Sequence, residues 1–215
     1  DHKVGQYLGI ELVANEFANT EIRQYSLSHK ANGKSYRISV KRELGENPGL
    51  ISNHLHDNLQ LGDLVDLHPP AGDFYFVDRK APVVLVSAGV GITPMQAMLE
   101  HKAEIDYPHP VHYLHACENS EQHSFAERTE QLCAENGWQH ITWYNDSEAT
   151  NELKVKANIK TGFIDFESTE LPLANGDFYL CGPVGFMQYA KDSLAALGVD
   201  EGRIHYEVFG PHATL

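Results

Sequence analysis

The chain is poor in cysteine: Cys117, Cys133 and Cys181 are the only three in 215 residues, and no CxxC pair occurs. An odd, scattered set of thiols argues against a disulfide framework or a structural zinc site, and it suits a reducing cytoplasm. Basic residues are also scarce, with 16 Lys and Arg against 30 Asp and Glu, a formal net charge of −14. Such a surface repels phosphate backbones, so nucleic acid is a poor partner, and any anionic cofactor must be held by local N–H groups and a few placed cations. No apolar run approaches the roughly 20 residues that span a bilayer. The opening DHKVGQYLG lacks the apolar core of a secretion signal. Internal repeats and low-complexity tracts are absent too.

Histidine, by contrast, is plentiful at 13. His54 and His56 lie two apart, a spacing that shares a strand face but not a helix face. Their context, LISNHLHDNL (50–59), reads as a short helix after Asn47-Pro48-Gly49. No metal-ligand spacing recurs with Cys, Asp or Glu, so scattered surface and loop histidines are expected and no metal.

The first third reads as β-structure. QYLGIELV, RQYSLS, SYRISVKR, DLVDLH and GDFYFV are short, rich in β-branched or aromatic residues, and separated by turn residues. Short strands at this spacing predict a small antiparallel barrel over 1–79. The pattern changes at Asp78-Arg79-Lys80-Ala81-Pro82. Beyond it, strands alternate with helices, which predicts a parallel Rossmann-like α/β domain over 80–215. Its five expected strands are 82–88, 111–117, 140–144, 177–181 and 204–209, with helices near 94–103, 124–136 and 184–197. Ser124 and Glu127 have the spacing of a capping box, with Gly137 after the helix end. Met187, Ala190, Leu194 and Leu197 form one apolar helix face, closed by Gly198. Residues 145–176 are polar and harder to read, with a short element expected at GFIDF (162–166).

Four motifs carry chemistry. Gly89-Val90-Gly91-Ile92-Thr93-Pro94 follows the apolar strand and opens a helix. Glycines let the backbone turn and a pyrophosphate approach, while Thr93 can cap the helix and Pro94 can occupy its first position. Proline in the last place sets this loop apart from the six-position GxGxxG. Arg23-Gln24-Tyr25-Ser26 lies on a barrel strand, where Arg23 and Tyr25 share a face. An Arg can meet a diphosphate and a Tyr can lie on a flat ring; alone, an ordinary exposed strand explains the run as well. Cys181-Gly182-Pro183 and Tyr206–Pro211 each follow a strand, at the carboxyl edge where open α/β sheets bind ligands.

Taken together, the four motifs resemble the ferredoxin reductase superfamily. GQYLG, EIRQYS, YRISVKRE, ISNHLH, PAGDF, SAGVGITPM, FYLCGPVGFM and IHYEVFGPH narrow the likeness to the reductase half of bacterial flavohaemoglobin, the nitric oxide dioxygenase. That resemblance covers nearly the whole chain. It implies a FAD-binding barrel followed by an NAD(P)-binding domain, passing electrons from NADH through FAD to a haem globin. On it, Tyr7, Arg23, Gln24, Tyr25 and Ser26 bind FAD, with Tyr25 on the isoalloxazine, Arg23 at the pyrophosphate and Ser26 near N5. Gly49, Leu50, Ile51 and Ser52 cradle the diphosphate. Gly89, Val90, Gly91, Ile92, Thr93 and Pro94 hold the nicotinamide dinucleotide. Cys181, Gly182 and Pro183 border its ring, and Val208, Phe209, Gly210 and Pro211 line the flavin. Ser26, Cys181 and Glu207 are the implied catalytic residues, Glu207 tuning the flavin by opposing an anionic reduced state.

The sequence departs from that family in two respects. Val4 stands where Pro usually precedes GQY. The haem globin and the further strand that precede GQY are also absent, so a fragment is expected whose open barrel edge could pair with another copy or swap with it. The segment ENSEQHS (118–124) holds Glu118 and Glu121 but no Lys or Arg to meet a 2′-phosphate, which favours NADH over NADPH. Two other readings remain: a stand-alone reductase with a protein acceptor, and a nucleotide-binding module without turnover.

Overall fold

The computed structural model describes residues 1–12, 21–44, 48–146 and 157–208. In the first part, strand β1 (Tyr7–Leu12) lies between β2 (Glu21–Ser26) and the two-residue β3 (Asp66–Leu67), all antiparallel. The register sets Tyr7 opposite Ser26 and Leu8 opposite Tyr25. Helix α1 (Leu50–Asp57) sends Ile51 into a small core with Ile10 and Leu12, against which Tyr25 packs.

Two expected strands are not regular strands. SYRISVKR contributes the single bridge Leu27–Ile38, and the GDFYFV stretch is preceded by the single bridge Tyr7–Ala71. A strand exists only as far as a neighbour pairs with it. Among the described residues the antiparallel sheet has three strands, and an apolar groove of about 310 Å³ opens beside Leu8, Ile10, Ile38, Leu55 and Leu67.

The second part is a parallel sheet of six strands, one more than expected. β4 (Val83–Ala88), β5 (Val111–Cys117), β6 (Gln139–Tyr144), β7 (Ile159–Thr161), β8 (Asp177–Gly182) and β9 (Ile204–Val208) stand in the order β7-β6-β5-β4-β8-β9. The added strand is β7, which ends just before the GFIDF stretch expected to hold an element.

Every residue of β4 is buried, because both faces are covered. Val83 and Leu85 pack under helix α2 (Ile92–Glu104) and helix α3 (Ala126–Asn136). Val84 and Val86 face helix α4 (Val184–Ala196), which presents Met187, Ala190 and Leu194. Strand alternation thus feeds two cores, and each such buried side chain contributes roughly 1.5–3 kcal/mol. Gly137, at φ 66, ends α3, and Gly198, at φ 83, follows α4.

Two helix starts differ from expectation. The Ser124–Glu127 box does not form: α3 starts at Ala126, behind Phe125 in the left-handed region at φ 60. Burial of the Phe125 ring beside the first core sets that start, so Ser124 lies one residue too early to cap. Helix α2 starts at Ile92, not Pro94, and the Thr93 hydroxyl donates to the Val90 carbonyl at 3.0 Å rather than capping. His54 and His56 do lie on α1, and the described residues contain no metal-ligand cluster.

The two parts are in contact. Val4 and Phe74 belong to the core under α2. Gly5, at φ 110, packs against both parts: a Cβ there would stand 2.6 Å from the Phe74 carbonyl oxygen of its own part and 2.8 Å from Met98 Cε on α2. The link between them is held by the Tyr179 hydroxyl, which accepts from the Val77 N–H at 3.1 Å, and by Arg79 Nη1, 3.5 Å from Asp177 Oδ1.

Candidate functional site

In a parallel sheet all carboxyl ends lie on one edge, so the loops after β4 and β8 and the end of β9 share that edge. Chain order runs outward from β4 in both directions, through β5 on one side and β8 on the other. Between β4 and β8 is therefore the switch point, where the loops part and leave a crevice. The Gly89–Gly91 turn sits at this point. Gly89 has φ 53, a conformation side chains resist. Gly91 has φ −60, and its constraint is space: a Cβ would stand 2.1 Å from the Cys181 carbonyl oxygen and 2.8 Å from the Gly182 nitrogen. Two motifs 90 residues apart are thus in backbone contact, and the glycines leave a cradle at the helix opening.

Register carries the edge further. Cys181 stands opposite Glu207, and Gly182 opposite Val208. Cys181 itself is fully buried, and burial, with Glu207 nearby, holds its thiol well above the usual range. It is therefore a neutral core side chain, offering its backbone rather than a thiolate to the edge. Glu207 is half-buried, and burial followed by the carboxylate of Asp73 raises its pKa.

Glu207 also lines a polar cleft of about 580 Å³ together with Tyr7, Gly72, Asp73, Arg79 and Tyr206. This cleft lies between the two parts of the molecule. Gly72, at φ 105, has the Tyr7 ring 2.8 Å from where a Cβ would stand, so only glycine lets that ring seat itself.

The expected site residues form two groups joined by this cleft. On the barrel side, Tyr7, Tyr25, Ser26 and Ile51 are close through the β1–β2 register and the small core. Burial, partly offset by Arg23, raises the pKa of Tyr25. Arg23 is exposed, and its guanidinium donates to Glu21 Oε2 and the Ile22 carbonyl, both at 2.8 Å. At the start of α1 the Ser52 hydroxyl donates to the Gly49 carbonyl at 3.1 Å. On the sheet side are Gly89–Pro94, Cys181–Pro183 and Val208. Phe209, Gly210 and Pro211 lie outside the described residues.

Two family models match the chain. The model of the oxidoreductase FAD-binding domain matches residues 1–76, and that of the oxidoreductase NAD-binding domain matches 85–192. The flavohemoprotein of Vibrio cholerae serotype O1 is 53% identical over 217 residues. The chain belongs to the flavohaemoprotein reductase family of FAD- and NAD-binding oxidoreductases. It spans 53% of the length of that Vibrio relative. The solved FAD/NAD-binding domain of nitric oxide dioxygenase from Vibrio cholerae O1 biovar El Tor is 51% identical, with a TM-score of 0.91 over 98% of this chain and 86% of that one. The flavohemoglobin of Malassezia yamatoensis, solved with FAD and heme, shares the fold at TM-score 0.80 and 24% identity, over 97% of this chain and 52% of that one.

Sequence reasoning passed over Asp73 and Arg79 as site residues, and it reached Tyr206 only as the start of the terminal motif. None sits in a glycine-rich turn, and each reaches the cleft through tertiary placement. Asp73 and Tyr206 each had a signal, since they lie in the PAGDF and IHYEVFGPH segments that carry the resemblance.

Proposed function

We propose that this chain is an NADH-dependent FAD reductase module that supplies electrons to a haem globin and so supports nitric oxide dioxygenation. The observation that carries this reading is the interdomain cleft, in which Tyr7 of the first part and Glu207 of the second line one space, with Glu207 opposite the Cys181 that the Gly89–Gly91 turn abuts. The residues present fit both cofactors: the cradle admits a phosphate, and the cleft admits part of a flat ring. When bound, the flavin takes a hydride from the reduced nicotinamide and releases electrons singly.

The protein's contribution is binding and placement. Residues 1–79 form the FAD domain and 80–215 the nicotinamide domain. Tyr7, the Arg23–Ser26 run and the Gly49–Ser52 turn hold FAD, with Arg23 exchanging Glu21 for a diphosphate oxygen. Residues Gly89–Pro94, Gly182 and Pro183 hold the dinucleotide, and buried Cys181 keeps water from beneath it. Val208 to Pro211 cover the flavin. Glu207, its carboxyl held above the ordinary range by burial and Asp73, keeps a proton close to the ring at a higher pH than a free carboxylate would.

NADH is the expected reductant over NADPH, since residues 118–124 offer Glu118 and Glu121 and no cation. The setting is the cytoplasm. None of the described helices is long and apolar enough to cross a membrane. The open groove beside β1 supports pairing with a second copy through the barrel edge.

The test is reconstitution with FAD followed by anaerobic addition of NADH. Loss of the oxidised flavin absorbance within seconds is expected, with NADPH at least tenfold less effective, on the order of one lost charge-assisted contact. Failure to bind FAD, or bound FAD that NADH leaves coloured, would favour a nucleotide-binding module without turnover.

A further inference from the structure

Two residues beyond the end of β2 at Ser26, Ser28 meets Arg37. The Ser28 N–H donates to the Arg37 carbonyl at 2.9 Å. In return, Arg37 Nη2 donates to the Ser28 carbonyl, and Nε donates to the Ser28 hydroxyl at 3.2 Å. The same guanidinium crosses to the other half of the molecule, where Nη2 lies 3.3 Å from Glu100 Oε1. It also sits 5.3 Å from the Phe125 ring, at the residue that sets the start of α3.

Glu100 is 7% exposed and anchored within its own domain. Gln96 Nε2 donates to Glu100 Oε1 at 3.2 Å, and the Thr129 hydroxyl on α3 donates to Gln96 Oε1 at 3.0 Å. The other carboxylate oxygen, Oε2, has no hydrogen-bond partner among the described residues, but His29 Nε2 stands 3.4 Å away. A buried carboxylate held so sparingly depends on Arg37 as its one permanent cation. Glu100 lies on the helix that opens with the nucleotide cradle, eight residues from Ile92, or about 12 Å along the axis.

We propose that Arg37 and Glu100 form a positioning clamp that fixes the angle between the Ser26 strand and the nucleotide-bearing helix α2. Neither residue touches either cofactor. Two short links, Ser26–Ser28 and Ile92–Glu100, connect the clamp to the two places where the reacting rings are held. Releasing it leaves each binding surface whole but lets one swing against the other. The proposal rests on the reductase reading for its kinetic consequence and stands on geometry alone for its structural one.

The experiment uses the full chain with Arg37→Met, Glu100→Ala and the conservative Glu100→Gln, which keeps the Gln96 contact. Lys30→Met is the control, because Lys30 pairs with Glu104 in a second, more exposed cross-domain contact. Spin labels at the exposed Asn58→Cys and Ala134→Cys, in a Cys117→Ser background, report the distance between the two parts without any cofactor. Arg37→Met and Glu100→Ala are expected to broaden that distance distribution, Glu100→Gln to broaden it less, and Lys30→Met to leave it unchanged. With FAD loaded, flavin bleaching by NADH should slow about 10–100-fold in Arg37→Met while the NADH dissociation constant stays within about threefold. If Glu100→Ala fails to fold, Arg37→Met and Glu100→Gln carry the test. A distribution as narrow as wild type in Arg37→Met overturns the clamp. Wild-type flavin that NADH does not bleach overturns the reductase reading instead, and the label distances still decide the clamp.

Discussion

The two halves of this molecule solve the same problem, covering apolar strands, with unequal completeness. In the α/β half, β4 is buried along its whole length between α2 and α3 on one face and α4 on the other. In the barrel half, the described residues give a three-stranded sheet, β1 to β3, over a small cluster of buried residues, Ile10, Leu12 and Ile51. Leu64 there is 99% exposed, and Leu67 on β3 is 48% exposed. A parallel sheet is completed by its own crossover helices, which the chain must place alongside it. A barrel is completed only by closing on itself, and short antiparallel strands do not ensure that.

The sharpest test of this contrast compares one leucine from each half. Leu85→Ala in β4 should cost about 2–5 kcal/mol, whereas Leu64→Ala should cost under about 0.5 kcal/mol, read from denaturant midpoints. Equal costs would mean the barrel half is as well covered as the sheet.

The next effect concerns acid. His115 is fully buried on β5, with its ring stacked on His123 at 4.8 Å between centroids. Burial, and then the neighbouring His140, holds His123 at about 4, against 6.5 for a free histidine. The folded state therefore binds fewer protons than the unfolded one between pH 6.5 and 4. Stability is full above that window and falls as pH drops through it, by roughly 3 kcal/mol for His123. His123→Phe should flatten that limb of the stability-against-pH curve, and an unchanged slope would put the acid sensitivity elsewhere.

Gly91→Ala tests the crevice. With a Cβ 2.1 Å from a carbonyl oxygen, β8 and the loop must part, at a cost of about 1–3 kcal/mol in stability and about tenfold in NADH affinity by calorimetry. Gly89→Ala has open space around it and should lose about 1 kcal/mol through conformation alone.

A further expected change is at the junction. Lys102 is fully buried on α2, its amine without a hydrogen-bond partner and 3.2 Å from the Phe76 ring centre. Burial, opposed by Asp78 and Asp177, lowers it from 10.5 to about 6. The unfolded chain binds this proton more tightly, so stability is lost as pH falls from 10.5 towards 6. Lys102→Met should be neutral or stabilising by up to about 2 kcal/mol near pH 7, and its advantage should grow from pH 10 to pH 7 in thermal melts.

Much of the α/β half was legible before any coordinates. PVVLVSA announces a strand buried on both faces, Gly137 and Gly198 mark helix ends, and the alternation of strand and helix implies a parallel sheet. The Ser124–Glu127 spacing misled because a local cap competes with burial of Phe125, and burial won. SYRISVKR misled because strand-forming composition does not supply a pairing partner. The cleft shows the same division. Tyr7, Tyr206 and Glu207 lie in legible motifs, while the place of Asp73 and Arg79 beside them follows from the packing of the two halves.

The amino-acid order alone determined the alternation of strand and helix in the α/β half and where glycine ends its helices, because those follow from side-chain periodicity and backbone sterics over a few residues. Tertiary structure alone decided that Gly91 abuts Cys181, that Asp73 faces Glu207 and that Arg37 reaches Glu100. Those contacts depend on how separately formed layers settle against one another, and no local rule encodes that.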